Sequence, residues 1–242
     1  MMSNMEKLLL MVFGHEIWLE SMRGNGTKAD IKLMYGHNMK TDGHVDADRI
    51  SSVVYGPGRK KIVPEIKTKA DHHIVSFKGE KAGYYISVVD LSPLVISKTK
   101  NDEYKHGPRK MYKDIAYAGA FHQMAKKILP LGEVGKYNPR HVHGILDLVP
   151  ATPVLVPDKE VSLTVLYEGK PVKGVTVKAI SKKEGKDVAS AVSNAKGIVT
   201  FPISKNGTWM FIARHNDPSK AVEDEYDETV FVSTLVMETQ KA

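Results

Sequence analysis

The sequence predicts an all-β protein of two β-sandwich domains, the second of immunoglobulin or transthyretin type, with one helix in the first. Short runs rich in Ile, Val and Tyr alternate with Gly and Asn-Gly signals along most of the chain, the pattern of strands joined by tight turns. A single segment, Asp114 to Leu129, departs from it with apolar residues at helical spacing. Pro150, Pro153 and Pro157 then fall within eight residues, in "LVPATPVLVPDKE". Proline has no N–H to give a sheet interior, so this cluster suits a domain boundary near residues 150–158.

Residues 1–14 read in two ways. Leu8 to Phe13 is apolar, and Val12 and Gly14 are the small residues a signal peptidase favours just before His15, so the segment reads as a leader. It reads equally as a first strand, Lys7 to Phe13. From residue 15 to 150, "EIWLESM", "ADIKLMYGH", "RISSVVYG", "HHIVSFKG" and "YYISVVDLS" are hairpin strands. The expected helix carries Ile115, Ala118, Phe121, Met124 or Ala125, and Ile128 on one face, with Asp114 as its cap and Pro130 as its stop. Residues 151–242 alternate apolar and polar side chains between turns at Gly169, Gly174, Asn194, Gly197, Asn206 and Gly207, the spacing of a β-sandwich.

Composition excludes several kinds of chemistry. With 242 residues and 42% hydrophobic content the chain can bury a substantial core. The absence of Cys removes disulfides, thiolate zinc sites, iron–sulfur ligation and cysteine nucleophiles, so any metal must be held by His, carboxylates or backbone. The net charge of +7 is spread over scattered lysines, with no basic run longer than Arg59-Lys60-Lys61, which argues for a solvated surface and against nucleic acid. There is no phosphate-binding glycine loop and no Gly-x-Ser-x-Gly elbow, and Leu19 stands where "HEIWL" would need the second histidine of a zinc protease. These absences favour a protein that is not an enzyme.

The ten histidines carry what chemistry remains. His141 and His143 on a strand would turn both imidazoles to one face, where they either share a metal or stand idle on an exposed surface. His72 and His73 would point to opposite faces. His122 reads as a packed helix residue and His106 as a loop residue.

Read in order, "HEIWLE", "IKLMYGHN", "ILDLVPATP", "VLYEGKPVKGVTVKA", "GTWMFIARHND" and "YDETVFVSTLVME" resemble the NikK-like periplasmic accessory proteins of nickel and cobalt uptake systems, a family long described only as a domain of unknown function. The resemblance implies an exported, two-domain β protein whose leader is cleaved directly before His15. It further implies membrane components of an ABC or energy-coupling-factor transporter as partners, and nickel or cobalt as the ion, with copper and zinc sharing the same imidazole chemistry. The matched histidines His15, His37 and His215 each stand at a strand terminus, where side chains from different strands can converge. Cleavage after Gly14 would add the α-amine of His15 as a chelating partner to its own ring. The acidic run Glu223 to Glu228 offers a carboxylate or simply a solvated loop. The alternative to metal capture is a structural or adhesive β-sandwich in which the histidines are incidental.

Overall fold

The segment from Ile115 to Leu131 decides the architecture. In the computed structural model, which describes residues 15–22 and 26–240, it is a single 17-residue strand, and the expected helix from Asp114 to Leu129 does not form. Among the described residues helical geometry is confined to 3-10 turns of three residues each. The leader or first strand read in residues 1–14 lies outside the described residues.

Helical spacing misled because both faces of this strand are covered. Its odd-numbered residues Ala125, Leu129 and Leu131 enter one core, while its even-numbered Met124 and Ile128 enter another. A strand buried on both sides shows no polar face, so its period of two is hidden and Ala, Met, Lys and Leu read as helix formers. Pro130, which should have stopped a helix, is exposed near the end of the strand, where a missing N–H is tolerated.

The long strand is the spine of a ten-stranded sheet. Along one edge it pairs antiparallel first with Leu94–Thr99 and then with Gly83–Leu91. Along the other it pairs in parallel with Glu228–Glu238, from Gly119↔Glu228 to Lys127↔Val236. Glu228–Glu238 pairs in turn with Thr208–Asp217, so the backbone ladder runs without a break from the first half of the chain into the second.

Two smaller sheets cover opposite faces of this one. The four-stranded sheet brings Leu148, Leu163, Val165 and Phe201 against the odd-numbered Phe211, Ala213, Phe231 and Leu235. The five-stranded sheet brings Ile17, Leu19, Ile31, Leu33 and Val75 against Val89, Ala125 and Leu129. Between these layers Trp18 packs with Met39 on the even-numbered Met210 and Val236, on the face opposite Phe211 and Leu235. One core, drawn from residues 17 to 131, and another, drawn from residues 146 to 237, thus lie on opposite faces of one sheet.

One hairpin of the five-stranded sheet positions the site. Lys28–His37 turns into Lys40–Thr41 through Asn38 and Met39, both with positive φ (50° and 63°), the backbone of a two-residue primed turn. The register Gly36↔Thr41 and His37↔Lys40 brings the chain straight back. Gly36 permits the approach, since a Cβ there would lie 2.0 Å from the Lys40 carbonyl oxygen. Gly36→Ala should therefore open the turn, at a cost of roughly 1–3 kcal/mol for an overpacked site. Urea denaturation would check it, and an unchanged midpoint would show that the hairpin has more slack than its geometry suggests.

Candidate metal centre

The tight turn returns Asp42 to His37, and the neighbouring strand delivers His15 to the same place. His15 Nε2 lies 3.0 Å from Asp42 Oδ1, and His37 Nδ1 lies 2.5 Å from Asp42 Oδ2. The two imidazole rings are 3.9 Å apart at their centroids, and the His15 ring stacks on Tyr35 at 4.7 Å with the planes 4° from parallel. One ligand atom from each of His15, His37 and Asp42 falls within 4.8 Å of the others. The His15 carbonyl accepts from Gln123 Nε2 at 3.2 Å, and the Ile17 carbonyl accepts from Thr234 Oγ1 at 2.6 Å, so the strand bearing His15 is fastened to the ten-stranded sheet.

Two imidazole nitrogens and a carboxylate oxygen form a donor set suited to a borderline divalent ion, and three protein ligands leave coordination positions open. The residues present fit such an ion. The Asp42 carboxylate accepts from both rings and holds them together.

A cleft of 740 Å³ opens beside this cluster, and His37 lines it together with Glu16, Asn38, Lys178, Arg214 and Asn216, among others. Glu16 is only 5% exposed and accepts a hydrogen bond from the Asn38 backbone N–H at 2.6 Å. Burial pushes its carboxyl up to about 7, against that hydrogen bond and the charges of His37 and Arg214, which pull it down. Burial also lowers the Arg214 guanidinium from its usual value, with Glu16 acting in the opposite sense.

The model of the family described as "Domain of unknown function (DUF4198)" matches residues 12–217. The chain belongs to DUF4198. No curated protein matches the sequence. Among solved structures, the DUF4198 chain is similar over 94% of its length to native alpha-2-macroglobulin from Escherichia coli spanning domains MG0-NIE-MG1, at 12% identity, 97% of that chain and a TM-score of 0.25. It is similar over 93% of its length to the D0-D1 domain of intimin, at 8% identity, 98% of that chain and a TM-score of 0.24. Over 94% of its length it is similar to dimeric latent PorU from Porphyromonas gingivalis, at 10% identity, 20% of that chain and a TM-score of 0.26. Likenesses this loose say nothing about activity.

In this DUF4198 chain the ten-stranded sheet divides the candidate ligands. Arg214 and Asn216 face the cleft, so His215 between them turns to the other face of its strand and packs on Tyr167 at 4.4 Å between centroids. His141 and His143 lie on that other side too, in an irregular segment and not on a strand. His141 Nδ1 is 2.9 Å from Asp147 Oδ2, whereas His143 Nε2 is 2.6 Å from Asp90 Oδ2 and its Nδ1 is 3.0 Å from the Tyr55 hydroxyl. The expected strand pair is thus two separate histidines on two separate carboxylates. His73 is structural, 1% exposed, with Nε2 donating to the Val45 carbonyl at 2.7 Å. His72 pairs with Asp71 at 2.7 Å, and His106 sits on the short strand Tyr104–His106, not in a loop. The acidic run is engaged elsewhere, with Asp227 on Arg109 and Glu225 on Lys110.

Asp42 and Glu16 are the residues that sequence reasoning missed. A signal for Asp42 was present in "GHNMKTD", where a strand glycine and an asparagine opening the turn let the chain fold a carboxylate back onto a histidine five residues earlier.

Asp90 also divides His143 from His122, whose Nε2 lies 3.7 Å from Asp90 Oδ1. The hydrogen bond to Asp90 raises His143 above the ordinary histidine value, while burial lowers His122 below it. Imidazole NMR titration should therefore place their midpoints on opposite sides of about 6.5. His143, with its folded value raised, contributes stability that is present in acid and lost as pH rises through its own midpoint. His122, with its folded value lowered, withdraws stability as pH falls through the ordinary value. Coincident midpoints would show that Asp90 and burial do not separate the two rings.

Proposed function

We propose that the protein captures a divalent transition-metal ion, nickel or cobalt, outside the cytoplasm and delivers it to membrane components of an uptake transporter. The observation that carries the reading is the convergence of His15, His37 and Asp42 from two strands and a tight turn. Nitrogen-rich ligation without thiolate suits nickel, cobalt, copper and zinc and disfavours calcium and magnesium, which take oxygen ligands. A set of three ligands suits capture and release better than a closed four-ligand structural site does. The ordered resemblance to NikK-like proteins supplies the nickel or cobalt preference, the export and the transporter partner. Among the described residues no helix is long and apolar enough to cross a membrane.

Calorimetric titration of chelator-treated, tag-free protein with Ni²⁺, Co²⁺, Cu²⁺ and Zn²⁺ tests the reading. One ion bound per chain, lost in the His15→Ala/His37→Ala double variant, is the expected result. Binding no tighter in the parent than in that variant would overturn it and leave a structural or adhesive role for the sandwich.

A further inference from the structure

The cleft beside the cluster is larger than a metal ion needs. Its 740 Å³ fall within the roughly 300–1,000 Å³ of small-molecule sites. Its lining carries both signs of charge. Lys178 and Asp187 pair at 2.6 Å, while Arg214 and Lys186 make no direct ion pair among the described residues, Glu16 acting on Arg214 only through space. Arg214 is the better anchor. It projects from the middle of the ladder formed by Thr208–Asp217, its guanidinium is partly stripped of water, and its planar fork matches a carboxylate in two parallel hydrogen bonds.

His37 belongs to both the metal cluster and the cleft wall. An ion held by His15, His37 and Asp42 would therefore adjoin the cleft through His37, where a ligand lodged in it would supply further donors. Water would fill the remaining coordination positions, but water makes no use of the half-buried Arg214 in the same wall.

We propose that the cleft holds a small carboxylate-bearing chelator that enters with the metal ion, its carboxylate on Arg214 and its donor atoms completing the coordination begun by His15, His37 and Asp42. This rests on the metal reading above and adds the form in which the ion is bound. Asn38 and Asn216 supply amide groups at the wall, although Asn216 already donates to Glu228 at 2.8 Å. Lys186, exposed at the rim, adds attraction for an anionic complex.

The test is equilibrium dialysis of the full chain at fixed free Ni²⁺ activity, with the metal alone, with free histidine and with citrate, reading bound nickel and bound chelator together. At least one chelator should be retained with the metal in a one-to-one-to-one complex, with nickel affinity raised tenfold or more over the metal alone. Arg214→Gln should abolish that gain while leaving the affinity for the metal alone within about twofold. Lys186→Ala, at an exposed position that does not threaten folding, should reduce the gain. If both chelators merely strip the nickel while the metal alone still binds, the chelator proposal is overturned and metal capture stands. If nickel is not bound under any of the three conditions, metal capture itself fails.

Discussion

His37→Ala and Asp42→Ala should each lower the affinity for Ni²⁺ at least tenfold, about 1.4 kcal/mol. Each removes one of three directional ligands that the structure brings within 4.8 Å. Neither leaves a large hole, because the side chains of His37 and Asp42 are 20% and 42% exposed. Melting of the metal-free protein should therefore barely move. Together the two substitutions should cost less than the sum of their separate effects, since the second acts on a site already broken. His215→Ala should leave nickel affinity unchanged, because that ring packs on Tyr167 on the far side of the sheet. Calorimetry on all four proteins checks the set, and a loss at His215 equal to that at His37 would require a site quite different from the one described.

The largest effect on stability is expected at Lys126→Met. Lys126 and Asp147 are 1% and 0% exposed, paired with each other, with His141 Nδ1 a further partner of the carboxylate at 2.9 Å. Burial works to raise the Asp147 carboxyl, but the Lys126 charge and the hydrogen bonds from His141 and Lys126 override it and hold the group below its usual range. Removing one member of a buried ion pair strands the other, at a typical cost of about 3–5 kcal/mol. Replacing both Lys126 and Asp147 with apolar residues should cost much less than the single change. The sign of the pH dependence follows from the lowered carboxyl. Its contribution is present above the ordinary carboxylate value and disappears as pH falls through the folded one, so the gap between Lys126→Met and the parent should narrow in acid. Urea denaturation at neutral and acid pH measures both; a single variant within 1 kcal/mol of the parent at neutral pH would mean that water reaches Asp147 or that His141 alone balances it.

The long strand shows where sequence reading loses its footing. Asp114 to Leu129 shows apolar residues at helical spacing, and nothing local contradicts a helix except the glycine at 119 and the lack of a polar face. What decides is the company the segment keeps. Strands from both halves of the chain pair with its two edges, and cores lie on both of its faces. These are long-range facts that no window of a dozen residues contains. The strands Lys159–Tyr167, Thr176–Ser181 and Ile198–Ile203, by contrast, were legible, because part of each alternates buried and exposed side chains and the alternation is visible in the letters.

The same division runs through the site. His15 and His37 were legible as strand-end histidines in matched phrases, but Asp42 was overlooked because its approach depends on a two-residue turn with positive φ at Asn38 and Met39. His215 met the same local criterion as His15 and His37, and His141 and His143 read as a pair on one strand face. A ten-stranded sheet stands between the two groups.

By itself, then, the sequence determined that the protein is built of strands and that it has no cysteine chemistry, so that any metal ligands would be histidines, carboxylates or backbone groups. Those conclusions rest on composition and on alternation, which are local properties of the chain. Tertiary structure alone decided which histidines meet. Side chains on a strand point alternately to opposite faces, and only the packing of layers says which face looks onto the cleft and which onto the other core.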